Sequence, residues 1–118
     1  MQMSESAPHN WTAPVVQRPI HSTVSIPGSK SATNRAFVLA ALGDSVSKIS
    51  KPLLARDTEL MLKALQKLGC EIKRDKDVIE ISPMKLVHQD LTIDVRLAGT
   101  VMRFVPALAA LSAGVAHF

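Results

Sequence analysis

Residues 27–35, PGSKSATNR, have types and a spacing that could bind an anion. A helix that begins after Gly28 would present unpaired backbone N–H groups and the positive end of its dipole to a phosphate or carboxylate. Lys30 adds a full positive charge. Arg35, four residues after Ser31, can reach back along the same helical face because helical side chains lean toward the N-terminus. The segment therefore predicts an anion site; the alternative is a serine-capped helix with solvated cations.

The same segment does not match the common nucleotide-binding loop. The Walker A pattern requires glycine directly before the lysine, and Ser29 stands at that position. An ordinary nucleotide-binding P-loop is therefore excluded.

A second glycine precedes a predicted helix at Gly99, with a hydroxyl at Thr100 and a cation at Arg103. Gly99 would let a ligand approach the backbone closely, Thr100 could cap the helix, and Arg103 offers a planar fork suited to carboxylate or phosphate. Alternatively, this is a capped helix with a surface or structurally paired arginine. If both helix starts face one cleft, they could hold a substrate that bears several negative charges.

Periodicity and turn signals place these segments within an alternation of strands and helices. Residues 31–42 form a helix with so many apolar residues that it should be buried on most sides, and Gly43 ends it. The helix at 99–113 should be kinked or broken at Pro106. The predicted order is strand 22–26, helix 31–42, strand 46–49, helix 61–68 ending at Gly69, hairpin 71–74 with 78–82, strand 91–95 and helix 99–113. This order predicts an α/β (α+β) fold with helices on one face of a sheet, and residues 114–118 suggest no further element.

Composition narrows the classes of partner and compartment. The 118 residues carry a net charge of +4, which favours anionic partners, and only three Phe, one Trp and no Tyr are available to stack bases. The single cysteine, Cys70, cannot form an internal disulfide, so a cytoplasmic location and a small buried thiol are expected. The four histidines lack metal-ligand spacing, so no metal is predicted, and no apolar stretch reaches the ~20 residues of a membrane span.

Three segments together resemble 5-enolpyruvylshikimate-3-phosphate synthases. Residues 26–42, IPGSKSATNRAFVLAAL, are similar to the first signature of that family, and residues 97–103, LAGTVMR, to its second. Between them, RDTELM at 56–61 with Ala64-Leu65 and Leu68-Gly69 resembles the family's next helix. A related family that transfers enolpyruvate to UDP-N-acetylglucosamine is the alternative, although its signature lacks the Asn34-Arg35 pair.

The resemblance implies a lobe built from β-α-β-α-β-β units and a reaction without cofactors. The 5-hydroxyl of shikimate 3-phosphate adds to C2 of phosphoenolpyruvate, and the adduct loses phosphate. By the same resemblance Lys30 touches both substrates, Ser31 and Arg35 bind shikimate 3-phosphate, and Gly99 meets phosphoenolpyruvate through its backbone. Thr100 and Arg103 support the second helix start, and Asp57 pairs with nearby basic groups.

The resemblance also implies that this chain is only part of such an enzyme. Residues 1–20 are interpreted as an extended leader and 21–118 as an incomplete N-terminal portion of the transferase domain. No catalytic residue is nominated, because the family's acid and base groups lie beyond residue 118, and the chain alone is expected to be inactive.

Full-length members are expected to be monomers that bind neither nucleic acid nor membrane. Leu97 and Phe104 depart from the common pattern, which has Asn and Pro there. A small basic module that binds anions or nucleic acid remains the alternative from another class.

Overall fold

The computed structural model describes residues 10–118. Residues 10–29 are exposed and lie outside helices and strands. Of the predicted leader at 1–20, the first nine residues lie outside the described part. The regular elements are α1 Lys30–Leu42, β1 Ser47–Ser50, α2 Arg56–Lys67, β2 Ile72–Asp75, β3 Val78–Ile81, β4 Leu91–Thr92, α3 Gly99–Ala109 and β5 Ala116–His117.

Three of the strands form an antiparallel sheet in the order β1-β3-β2. Ile49 pairs with Ile79 and Ile72 with Ile81, so four isoleucines share one face of the sheet. That face packs on the helices, since Ile79 and Ile81 are fully buried and the other two lie against the same apolar cluster. The sheet therefore covers one side of a single core.

The helices complete this core by packing on one another. α1 contacts both α2 and α3, and α2 contacts α3. Met61, Leu65 and Leu68, three of the residues with helical spacing, are completely buried. The predicted α+β class is confirmed, with the three helices grouped beside the sheet.

Glycine at position 69 is required by the backbone that follows α2. Its φ is +85°, and a Cβ there would lie 3.0 Å from the Cβ of Lys85. Left-handed backbone is costly for residues with a Cβ, so this glycine turns the chain out of α2 and into the hairpin, as predicted.

Three predictions about single elements are wrong. Residues 22–26 are exposed and form no strand, because within the described chain no neighbouring strand offers them hydrogen bonds. α1 is not buried on most sides: Leu39 is 69% and Leu42 51% exposed, since α2, α3 and the sheet cover only one of its faces. The segment after α3 does contain a further element, because β5 pairs in parallel with β4.

Two predicted elements are shorter than expected. Only Leu91 and Thr92 of the strand predicted at 91–95 form β4, although the N–H of Ile93 also donates to the carbonyl of His117 in β5. α3 ends at Ala109 instead of 113, and it continues through Pro106, so no local break occurs at this proline. A proline has no N–H to donate to the carbonyl four residues earlier. The helix therefore lacks one hydrogen bond at Pro106, and the bonds of the adjacent residues hold that turn.

Candidate anion-binding site

The first helix start is built by Ser29. Its backbone is extended (φ −73°, ψ 125°), and its Oγ accepts a hydrogen bond from the N–H of Ala32 at 3.3 Å. The Ser29 carbonyl accepts from the N–H of Thr33 at 2.9 Å, which closes the first turn of α1. The first turn holds no acidic residue, so nothing within it opposes an approaching anion.

The second helix start has no side-chain cap. The residue before α3 is Ala98, whose carbonyl accepts from Met102 N–H at 3.0 Å. The prediction that Thr100 caps this helix is wrong, because the helix already begins at Gly99 and Thr100 lies inside its first turn. The first N–H groups of any helix lack an intrahelical acceptor, so an anion would meet them here without displacing a cap.

The two helix starts meet in one pocket of about 240 Å³. Residues from both helices line it: Ser31, Arg35, Gly99, Thr100, Arg103 and Phe104. The pocket thus contains five of the six predicted binding and supporting residues. It combines two guanidinium groups, two hydroxyl-bearing residues and the backbone of a glycine.

Phe104 stands beside one of these cations. The guanidinium carbon of Arg103 lies 5.9 Å from the centre of the Phe104 ring, a cation–π distance. This contact stabilises the positive charge of Arg103 without neutralising it, so the charge remains available to a ligand.

Lys30, the sixth predicted residue, does not line the pocket. Its ammonium Nζ lies 3.0 Å from Oδ2 of Asp57, and Nε of Arg56 lies 3.6 Å from the other carboxylate oxygen. The hydrogen bond from Lys30 is the main reason that the pKa of Asp57 is lowered. The prediction that Asp57 pairs with basic groups is confirmed.

Asn34 was not nominated from the sequence as a functional residue. It is completely buried on α1 beside Arg35, and neither atom of its side-chain amide has a hydrogen-bond partner within the described chain. Buried amides are nearly always bonded, which makes Asn34 unusual in this core. The sequence did contain a sign of this burial, because Asn34 lies three and four residues before Phe37 and Val38 and therefore on the same apolar face of α1.

Two further structural findings concern the described residues only. No three His, Cys, Asp or Glu side chains between residues 10 and 118 are grouped as a metal ion would need. None of the helices in that range is both long and apolar enough to cross a membrane.

The fold and the pocket together define an α+β unit in which two helix starts and two arginines meet. The sequence matches the family described as EPSP synthase (3-phosphoshikimate 1-carboxyvinyltransferase) over residues 15–118. The chain therefore belongs to that family, as the signature segments predicted.

A curated relative supports the same assignment. The chain is 47% identical over 107 residues to the 3-phosphoshikimate 1-carboxyvinyltransferase of Mycobacterium ulcerans (strain Agy99). The aligned region covers 87% of this chain and 25% of the relative. The chain thus spans about a quarter of the length of that enzyme.

Proposed function

We propose that this chain forms part of the substrate-binding surface of a 3-phosphoshikimate 1-carboxyvinyltransferase. Such an enzyme moves the enolpyruvyl group of phosphoenolpyruvate to the 5-hydroxyl of shikimate 3-phosphate. The observation that carries the proposal is the single pocket in which the starts of α1 and α3 meet with Arg35 and Arg103.

Both proposed substrates match the charge of this pocket. Each carries a phosphate and a carboxylate, and an arginine fork can bind either group through two parallel hydrogen bonds. Ser31 and Arg35 would bind shikimate 3-phosphate, while the backbone of Gly99 would meet phosphoenolpyruvate. Thr100 and Arg103 would hold the second helix start in place around that ligand.

Lys30 would join the site by exchanging its partner. Its side chain is 49% exposed, whereas that of Asp57 is 13% exposed, so the lysine has more open space into which it can turn. A phosphate next to the start of α1 would compete with Asp57 for the ammonium. Asp57 would then hold Lys30 near the site when no substrate is bound.

The reaction also requires groups that move protons. The 5-hydroxyl oxygen loses its proton and forms a bond to C2 of phosphoenolpyruvate, while the C2–C3 double bond opens and C3 gains a proton. The adduct then loses phosphate from C2 and a proton from C3, which restores the double bond. General acids and bases must lie within hydrogen-bond reach of those protons. Among the described residues that line the pocket none has a carboxylate or an imidazole. We therefore propose that this part of the enzyme binds substrate and that the chain alone does not turn it over.

The remaining parts of the proposal concern cofactors, partners and compartment. The transfer needs no cofactor, since both substrates already carry the groups that react. The full-length enzyme would act as a cytoplasmic monomer on small molecules, without nucleic acid. The low aromatic content of this chain argues against base stacking, and its single cysteine fits a reducing compartment.

Calorimetric titration of the chain with shikimate 3-phosphate tests the proposal. We expect weak binding that Arg35→Ala reduces by roughly 10- to 100-fold, the effect of losing a hydrogen bond to a charged group. Lys73→Ala is the matched control, because it removes the same charge from an exposed position on β2 and should leave binding unchanged.

Two outcomes would contradict the proposal. One is equal loss of binding in the Arg35 and Lys73 variants, which would indicate general attraction to a basic chain. The other is binding of duplex DNA with steep salt dependence and no heat from shikimate 3-phosphate, which would favour a nucleic-acid-binding module.

A further inference from the structure

A second pocket, larger than the first, lies between α2 and the segment that follows β4. Its volume is about 310 Å³, and it shares no residue with the pocket at the helix starts. We call it the α2 pocket; its lining residues are Arg56, Glu59, Leu60, Lys63, Ala64, Lys67, Ile93, Asp94 and Arg96. The proposed reaction does not use this pocket, although part of its lining belongs to the α2 segment that resembles the family.

One face of α2 brings cations to this pocket. Arg56, Lys63 and Lys67 are separated by seven and four residues, a spacing that aligns them along one side of a helix. Between them Leu60 and Ala64 are buried, and with Ile93 they form an apolar floor. The pocket therefore has charged walls above an apolar base.

The positive charges outweigh the negative ones around this pocket. Within the described residues Lys63 has no carboxylate within ion-pair distance, and Lys67 donates to the carbonyl of Thr92, a neutral acceptor. Glu59 is held from outside the lining by Arg74, whose two terminal nitrogens lie 2.9 and 2.6 Å from its oxygens. The charge of Glu59 is thus largely balanced by Arg74, and among the described residues no carboxylate is paired with either lysine.

Arg96 is fixed at the edge of the α2 pocket. Its φ is +41°, a left-handed conformation that is uncommon for a residue with a side chain. Asp94 holds it there, since one carboxylate oxygen accepts from Arg96 N–H at 3.0 Å and the other lies 3.3 Å from Nε. This contact uses Nε, while the terminal nitrogens of a guanidinium carry its other donors.

We propose that the α2 pocket binds a small organic phosphate. Lys63, Lys67 and Arg96 would hold the phosphate, and the apolar part of the ligand would lie on Leu60, Ala64 and Ile93. The volume is at the lower end of the range for small-molecule sites, which fits a compact metabolite and not a nucleic-acid strand. Lysine ammonium groups are compact point charges that commonly bind phosphate.

The test is an NMR titration of the ¹⁵N-labelled chain with phenyl phosphate, a probe with one phosphate and one apolar ring. We expect chemical-shift changes at the amides of residues 93–97 and of the second half of α2. Phenol, which lacks the phosphate, should bind at least about tenfold more weakly, as expected when charge-assisted hydrogen bonds are lost.

A pair of double variants separates a built site from general attraction. Lys63→Gln with Lys67→Gln removes both charges, shortens each side chain by one atom and keeps helix propensity, and it should weaken phenyl phosphate binding by about tenfold or more. Lys48→Gln with Lys73→Gln removes the same charge from the sheet and should not change it. Equal weakening in the two double variants would overturn the proposal.

Arg35→Ala distinguishes this proposal from the proposed function. It should leave phenyl phosphate binding at the α2 pocket intact even though it weakens binding at the helix starts. Shifts confined to residues 30–35 and 99–103 would show that the probe uses only the first pocket and would overturn the inference. Loss, in the Arg35 variant, of the shifts at residues 93–97 and in α2 would overturn it as well.

Discussion

At the scale of single residues, the structure separates two cations that the sequence assigned to one ligand. Arg35 lines the pocket, whereas Lys30 is held by Asp57 on α2. Both residues lie in the first half of α1. Lys30 is turned toward α2 by its ion pair with Asp57, so Arg35 lines the pocket and Lys30 does not. A ligand that drew Lys30 into the site would compete with Asp57 for its ammonium group.

Cys70 shows the opposite case, in which burial alone decides the chemistry. The residue is 5% exposed, and burial raises the pKa of its thiol to about 11. Compared with an ordinary thiol, the fraction of reactive thiolate at neutral pH falls by about a hundredfold. We expect the native chain to react with a disulfide reagent such as Ellman's at least ~100-fold more slowly than the chain unfolded in guanidinium. Absorbance measurements in both conditions check this, and equal rates would contradict a buried thiol.

At the scale of elements, the two helices of the site begin differently. α1 starts with a serine that caps it, whereas the residue before α3 is an alanine. Ser29 therefore contributes to the stability of its helix, and Ser31, two residues later and exposed, does not occupy a capping position. The sequence alone left open which of the two serines caps.

The difference between these serines can be measured. Ser29→Ala should lower the free energy of unfolding by about 1 kcal/mol, since the N–H of Ala32 loses its acceptor. Ser31→Ala should leave stability unchanged or slightly raised, because alanine is the better helix former. Urea unfolding followed by circular dichroism checks both variants. A loss of stability in the Ser31 variant equal to that in the Ser29 variant would show that the cap is misassigned.

At the scale of the whole molecule, ion pairs tie the elements together. Lys30–Asp57 joins α1 to α2, Arg74–Glu59 joins β2 to α2, and Lys48–Glu80 joins β1 to β3. In each pair the cation's hydrogen bond lowers the pKa of the carboxyl group, and Lys85 does the same for Glu71. All four carboxylates thus bind protons less readily in the folded chain than in the unfolded one.

This arrangement predicts how stability depends on pH. When the folded-state pKa lies below the unfolded one, the stabilisation is present above the unfolded pKa and is lost as pH falls through the folded pKa. We expect urea unfolding between about pH 7 and about pH 3 to show a free energy that decreases toward acid. Glu59→Gln should cost less than about 1 kcal/mol at neutral pH, because the pair is partly exposed, and should flatten the acid decrease.

Asp44→Asn is the matched control for this prediction. Asp44 is exposed and, in the part of the chain that the structure describes, has no ion pair. Its variant should keep the acid dependence of the parent chain. The same flattening in both variants would mean that the Glu59–Arg74 pair is not its cause.

The sequence by itself determined the features that depend on neighbours along the chain. The start of α1 follows from Pro27-Gly28 and its serines, α2 from apolar residues with helical spacing, and the hairpin from alternation around a polar turn. The family followed from three signature segments, which are recognised from the order of their residues along the chain without any knowledge of the fold. Gly69 was recognised as a stop because glycine adopts left-handed backbone without the steric cost of a Cβ.

Only the tertiary structure decided the features that depend on residues far apart in sequence. Whether the starts of α1 and α3 share a pocket depends on how both helices pack on the core. The Lys30–Asp57 pair crosses 27 positions of the chain, and the pairing of β4 with β5 brings together segments separated by α3. Residues 22–26 have the composition of a strand, yet a strand forms only where a neighbour supplies hydrogen bonds. Helices satisfy their own backbone groups and can be predicted locally, whereas ladders, pockets and ion pairs need partners that only the folded chain brings together.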